Sequence, residues 1–445
     1  MRLRGFSLLL ILALTISLPA GADARDGQRA STTAQPPAAN VPSYVGPGSC
    51  AAVACHGSIR PVAGSRILQT EYGTWIAQDR HAHATEVLSN PVSVRIGRIL
   101  GIGTPNTAPR CLTCHSLDVP EGRQARTFAN EGVSCEACHG PASAWLGPHT
   151  TRGWTHAQSV QLGMHDTKDL VKRTERCLTC HLGTGDKYVD HEMIAAGHPD
   201  LVFDLEAFSA AMPRHWRVPT DTDPFAPVRS FSVGQLVQVR SALERLARRA
   251  KGPVWPEYAE LDCFACHHSL TRPEDSWRQA QGYDNRRPGN PPLNQARWTT
   301  GRRVLAAYDQ QASNELDVLM TKIALESSRL RTDANQIASL VGDARAVLDR
   351  AINRALTAQP DAAIATRLFH AIAGEAEEIA PRGERAAEQA GMALETLYTS
   401  SLGGNTESAT VRSAFDELFQ QFQSPSSYDP RRFVAQLRKI DAAIR

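Results

Sequence analysis

The sequence predicts a mainly α-helical protein in two parts, short helices and loops first and a helical bundle after. Three observations carry this. All ten cysteines lie between residues 50 and 266, in five pairs, and each pair is followed directly by a histidine. The stretch 46–285 that holds them has many Gly and Pro residues and only short periodic segments. From about residue 290 cysteine is absent, Ala, Leu, Glu, Gln and Arg dominate, and apolar residues recur at helical spacing.

The 445 residues suggest two to four domains, and a net charge of +2 supplies no bulk field for nucleic acid or an anionic membrane. Residues 1–24 read as a signal peptide. Met1-Arg-Leu-Arg4 is a positive n-region, Phe6 to Pro19 an apolar h-region, and Ala22-Asp23-Ala24 an A-x-A cleavage site. The apolar run is too short for a confident membrane span, and no later stretch approaches that length. An exported, periplasmic protein that is not integral to a membrane is expected. Residues 25–45, rich in Ala, Pro, Ser, Thr and Gln, read as a flexible linker.

The pairs in 46–285 are Cys50/Cys55 with His56, Cys111/Cys114 with His115, Cys135/Cys138 with His139, Cys177/Cys180 with His181, and Cys263/Cys266 with His267. A Cys-x-x-Cys-His run reads as a covalent attachment site for c-type haem, its histidine offering an imidazole to the iron. Only 15 of the 445 residues are histidine, so five in register are not coincidence. Zinc ribbons and disulfide hairpins, the rival readings, do not require that histidine. Five covalently attached haems are expected. The first site is irregular, with four residues between its thiols; both thioethers can form if the extra residues bulge out, and a single thioether or a failed site is the other reading. Haem would supply the apolar surface that so irregular a polypeptide could not bury by itself.

Residues 235–250 have apolar positions at helical spacing and a basic face. They predict a surface helix over the haem region, or, less simply, a dock for an acidic redox partner. In the C-terminal domain, residues 286–445, helices are expected near 294–310, 314–331, 333–357, 362–379, 383–400, 408–423 and 430–444. The breaks fall at Gln359-Pro360, Pro381-Arg-Gly383, Gly403-Gly404 and Ser424-Pro425. That domain reads as structural, or as the contact for a homo-oligomer or a larger redox complex. Its one histidine, His370, reads as a core or surface residue.

Ten histidines remain for the far faces of the irons: His81, His83, His149, His156, His165, His191, His198, His215, His268 and His370. An iron with two imidazoles suits electron transfer; an iron with one has an open position for a small molecule.

Residues 48–183 resemble the multihaem cytochrome c-554 family, part of a larger group with hydroxylamine oxidoreductase and the multihaem nitrite reductases. The resemblance rests on Gly48-Ser-Cys50, Thr74-Trp75 followed by His81-Ala-His83-Ala, and Cys111-Leu-Thr-Cys114-His115. It continues through Gly132-Val-Ser-Cys135-Glu-Ala-Cys138-His139-Gly-Pro141 with His149, and Cys177-Leu-Thr-Cys180-His181. It implies that His81 and His149 are distal ligands, His149 reaching back to the haem on His56, and that the haem on His115 is the open iron. The block 188–216 resembles one in larger multihaem relatives and implies His198 as a distal ligand, with His191 and His215 next. The family's tetrahaem members lack the fifth site, the helical C-terminus and the irregular first spacing. His268 reads as a contact to a haem carboxylate or to solvent; His156 and His165 stay open, and so does the pairing of distal histidines with irons.

The function expected is a periplasmic cytochrome with five haems that relays electrons between redox partner proteins. The alternative is an oxidoreductase acting on a small nitrogen or sulfur compound at a five-coordinate haem, which could also bind nitric oxide. No Cys-x-x-Cys-Lys site is present to favour the enzyme.

Overall fold

The structure is a computed structural model that describes residues 41–125, 131–217, 223–267, 290–402, 408–423 and 427–444. The expected signal peptide, most of the linker and His268 lie outside these residues.

The described chain is mainly α-helical, with no strand beyond the isolated bridges Tyr44–Gln124 and Leu261–Leu293. In the first part the helices are short: α1 Glu71–Gln78, α2 Pro91–Ile99, α3 Pro109–His115, α4 Cys135–His139, α5 His156–Gln161, α6 Leu170–Leu178, α7 His191–Ala196 and α8 Leu205–Ala211. Proline opens α2 and α3, and Asn90, Asp169, Asp190 and Asp204 cap α2, α6, α7 and α8 with side-chain oxygens. The longer helices follow: α9 Ala226–Ala250, α10 Ala296–Tyr308, α11 Gln310–Ser327, α12 Ala334–Thr357, α13 Ala362–Ala373, α14 Ala376–Ile379, α15 Glu384–Leu397, α16 Ala409–Gln420 and α17 Pro430–Ala443. The expected 362–379 helix is divided at Gly374, which closes α13.

The two parts bury apolar surface very differently. One continuous core runs from Leu178 to Ile440, joining α6, α8 and α9 to every helix after residue 290. Among the described residues before Leu178 the only apolar cluster is Val45, Ala142 and Trp145. Of the sixteen exposed large apolar side chains described, fourteen lie before residue 259, Ile59 at 94% and Val53 at 71% among them. A chain that folds without filling this space leaves much apolar surface wet, which a bound apolar group would cover.

The surface helix expected at 235–250 is instead part of the central helix α9. It begins at Ala226, and sixteen of its 25 residues are buried. It packs against α6, α8, α10, α12 and α15. Its basic face fails as a surface signal because neighbouring carboxylates take the charges. Arg240 pairs with Glu175 and with Asp349 (2.6 Å), while Arg245 and Arg249 converge on buried Glu260 at 2.8 and 3.0 Å.

Candidate haem sites

The five cysteine pairs are built on short turns of chain. Cys111, Cys114 and His115 lie on α3, and Cys135, Cys138 and His139 on α4. Cys177 ends α6 one residue before its last, and Cys180 and His181 follow in the wider turn Thr179–Gly183. In the fifth site the amide of His267 donates to the Cys263 carbonyl at 2.7 Å, the bond that closes one turn.

The first site departs from this pattern at Cys55. Cys50 is the last residue of a short 3₁₀ turn, Pro47–Cys50, whereas Cys55 lies beyond it in a separate turn and shares no helix with Cys50. The Cys55 amide donates to the Ala52 carbonyl at 2.8 Å, a bond inside the bulge. The physical reason is the two extra residues, which cannot fit in the single turn that Cys-x-x-Cys-His occupies. Ala52, Val53 and Ala54 are extruded into solvent, and His56 N donates to Cys50 O at 3.2 Å, so the base of the loop is still closed. Cys55 and His56 are both half-buried at that base. Cys55 is thus a candidate thioether carried on a bulge, not the equivalent of the second cysteine in the regular motifs.

None of the ten cysteines is in a disulfide. Burial pushes the thiols of Cys138 and Cys177 up, the latter to about 12, which argues against reactive thiolates at those positions. Cys138 is nonetheless exposed to solvent. Across motifs, the thiols of Cys50 and Cys135 lie close enough to influence one another, as do those of Cys114 and Cys180. The first and third sites are therefore neighbours, and so are the second and fourth.

Four of the five motif histidines face a second histidine. The ring centroids of His56 and His149 are 6.2 Å apart with planes 3° from parallel. His181 and His81 are 6.1 Å apart at 84°, His115 and His198 are 6.4 Å apart at 85°, and His267 and His191 are 6.3 Å apart at 32°. Imidazoles bound to opposite faces of one iron, with metal–nitrogen bonds of about 2 Å, place their centroids roughly 6 Å apart. Directly packed rings also span about 4.5–7 Å, so the weight lies in the recurrence of this one spacing at four of the motif histidines. Among the described residues no three His, Cys, Asp or Glu side chains converge as a metal site, so a four-ligand zinc site is not formed there. Two imidazoles suffice where a porphyrin supplies the other ligands.

The hydrogen bonds select one nitrogen on these rings. Nδ1 of His56 donates to Glu71 Oε2 (3.1 Å), of His81 to Asp79 Oδ1 (3.0 Å), and of His115 to the Ala84 carbonyl (3.0 Å). Nδ1 of His149 donates to the carbonyls of Trp145 (3.1 Å) and Leu146 (2.5 Å), and that of His198 to Pro199 (2.7 Å). Carbonyl and carboxylate oxygens only accept, so each Nδ1 carries the proton and Nε2 keeps its lone pair for a metal. His156 is the reverse, with Nε2 on Asp166 at 2.8 Å. His83 is held by Glu86 at the surface, and His370 by Asp441 (2.6 Å) in the bundle. His165 packs against Gly140 with its Nδ1 buried and unpartnered.

Local sequence explains the placement. α7 delivers two histidines: His191 at its first position and His198 just beyond Gly197, whose φ of 113° turns the chain so that His198 N closes on Met193 O at 2.9 Å. The two rings then face different partners, His267 and His115. Gly132 has φ of 56°, and a Cβ there would lie 2.3 Å from the Ala82 carbonyl oxygen; this close approach binds the 132–149 block to the His81 segment. Glu136, 1% exposed, accepts from the amides of Val45 (3.0 Å), Gly46 (2.8 Å) and Ala142 (2.8 Å) and so anchors the chain entering the first site.

His115, expected to be the histidine without a partner, has His198 across from it. The reason is the turn at Gly197, which swings His198 away from the His191 site. Among the described residues the motif ring left without a facing histidine is His139. Burial first, and then His215, push its pKa down to about 4, which keeps the imidazole neutral, as a ligand must be. His215 has its Nδ1 on the Pro213 carbonyl at 3.2 Å, the same arrangement as the paired rings. Ser134 Oγ and Trp145 Nε1 are buried without partners beside these motifs, and the carboxylates of a haem would satisfy such groups. The residues present fit haem.

Residues 50–140 match the family described as cytochrome c554 and c-prime. Over these residues the chain is similar to the cytochrome c554 family. The match covers the first three attachment motifs together with His81. Covalently bound haem c follows from it, and redox proteins are the partners it suggests. No curated protein and no solved structure matches the chain. Among the described residues no helix is long and apolar enough to cross a membrane.

Proposed function

We propose that the chain is an exported, periplasmic cytochrome with five covalently attached haems that relays electrons between redox proteins. The observation that carries the reading is the spacing of 6.1–6.4 Å between four motif histidines and four distal ones. In this reading His56/His149, His181/His81, His115/His198 and His267/His191 would each hold one haem between them. Haem c supplies reversible one-electron chemistry, and two imidazoles per iron favour transfer with little rearrangement. The protein's part is to fix each ring through its Nδ1 acceptor. Glu71 and Asp79, carboxylates on His56 and His81, strengthen those ligands. The thiol neighbours Cys50/Cys135 and Cys114/Cys180 argue for close haems in the first four sites. α7 links the His115 site to the His267 site, with His191 at its start and His198 just past its end. The C-terminal helices, whose core continues into α6, α8 and α9, are in this reading the scaffold that holds the fifth site.

The second reading, a small-molecule oxidoreductase, is favoured by one observation: among the motif histidines His139 alone has no facing ring in the described residues. It moves the open position from His115 to His139, with His215 and His165 the histidines beside it that could close it. A haem count with cyanide and nitric oxide titration of the oxidised and reduced protein tests both. The relay predicts five haems and no more than one that binds added ligand. Reaction at two or more haems, or fewer than four low-spin haems, overturns it.

A further inference from the structure

The last attachment site opens onto an exposed surface. Cys266 and His267 are exposed, and Tyr258 stands against the facing histidine, its ring 5.5 Å from that of His191, while 54% of it remains exposed. Val254, 67% exposed, and Tyr188, 44% exposed, continue the patch, with the Arg249 guanidinium 4.8 Å over the Tyr188 ring. At its rim the C-terminal end of α9 projects Arg248 and Lys251, both exposed and without a carboxylate partner among the described residues. Among the nearby acids, Glu260 and Glu257 are buried under Arg245 and Arg249, and Glu192 lies 3.6 Å from Arg110.

The geometry points to this patch, Tyr188, Val254 and Tyr258 rimmed by Arg248 and Lys251, as the docking surface for an acidic redox protein at the fifth haem. Two apolar aromatic rings beside unpaired cations have the composition of an interface centre with a charged rim. Uncommitted cations steer an anionic partner and are screened by salt. One electron crosses per encounter, the partner's centre gaining what the haem loses, or the reverse. The inference rests on the relay reading.

The test is voltammetry of the holoprotein on gold carrying a carboxylate-terminated monolayer, which stands in for an acidic partner, against an amine-terminated one. The double variant R248E/K251E is expected to exchange electrons about tenfold more slowly than wild type on the carboxylate surface at low salt, with the difference vanishing at high salt. The same charge change at Lys322 and Arg331, both exposed in the C-terminal region, should have little effect. An unchanged rate for R248E/K251E, or an equal loss on both monolayers, overturns the docking surface; the second outcome would place these cations on a haem carboxylate instead. A pyridine haemochrome count of five with an unchanged low-spin spectrum keeps the relay reading intact in either case, and a lower count in wild type would indict that reading separately.

Discussion

Glu136 is a buried carboxylate that ties together two segments flanking the first and third attachment motifs. Its carboxylate takes three amides from two segments, Val45 and Gly46 on one side and Ala142 on the other, at 2.8–3.1 Å. Hydrogen bonds to a charged acceptor contribute about 1.5–3 kcal/mol each, and stranding a buried amide costs about 1–3 kcal/mol. Water entering the vacated space recovers part of this, so Glu136→Ala should cost about 4 kcal/mol and Glu136→Gln, which keeps one oxygen, about half as much. Against a total of about 5–15 kcal/mol for a folded domain, that is a large fraction. The assay is guanidinium denaturation of the holoprotein, followed by far-UV circular dichroism and the Soret band. Because residues 45–46 lead into Cys50, the haem of the first site should also be attached less completely. A loss below about 1 kcal/mol in both variants, with haem content unchanged, would refute the clamp.

Other consequences follow from single residues. His149→Ala removes the ring facing His56 and should convert one low-spin haem to high-spin; an unchanged visible and EPR spectrum would remove His149 from the ligand set. Cys55→Ser should leave a haem held by Cys50 alone, read as a red-shifted α-band for one haem in the pyridine haemochrome; no shift would mean that Cys55 carries no thioether. Gly132→Ala forces a Cβ onto the Ala82 carbonyl at positive φ and should cost about 2–4 kcal/mol, read as a lowered denaturation midpoint, whereas a neutral result would show that the 132–149 block is not pinned there. On α15, burial first raises the carboxyls of Glu384 and Glu388 to about 7, with Glu388 adding to the shift of Glu384 and Asp200 to that of Glu388. A carboxyl raised on folding stabilises the protein while protonated, so stability should be full below the unfolded value near 4.5 and fall as pH rises toward 7. Replacing both residues with glutamine should flatten that slope, by on the order of 1 kcal/mol per group after solvent screening, and an unaltered pH profile would contradict the assignment.

The attachment motifs were legible because the chemistry requires fixed spacing along one turn of chain, and the bundle because its apolar residues recur at the helical period. The helices near 333–357 and 430–444 lie within a residue or so of those expected. The bulge before Cys55 was legible too, since two residues too many for one turn have only the outside to go to. Less was legible where partners come from far along the chain. The sequence of α9 has a cationic face, but Glu175, Glu260 and Asp349, which take those charges, lie on other segments, so burial could not be read from the helix itself. The pairing of His115 with His198 depends on Gly197 turning the chain at the end of α7, and on the Arg110–Asp190 ion pair that holds α7 beside α3. The positioning carboxylates Glu71 and Asp79 carry no motif of their own. Their only local sign is a place on or just after the helix that leads into His81.

The relay proposed above would set four irons between paired imidazoles and leave one, on His139, without a facing ring among the described residues. EPR of the fully oxidised protein, with a haem count on the same sample, tests it most directly. The account predicts four low-spin centres. Among them are a rhombic signal from the near-parallel His56/His149 pair and large-g signals from the two crossed pairs at 84° and 85°. The fifth centre should be the one that responds to added ligand, and His215→Ala should make it more responsive. More than one high-spin haem in the untreated protein, or ligand binding that maps to the haem on His115, would contradict it.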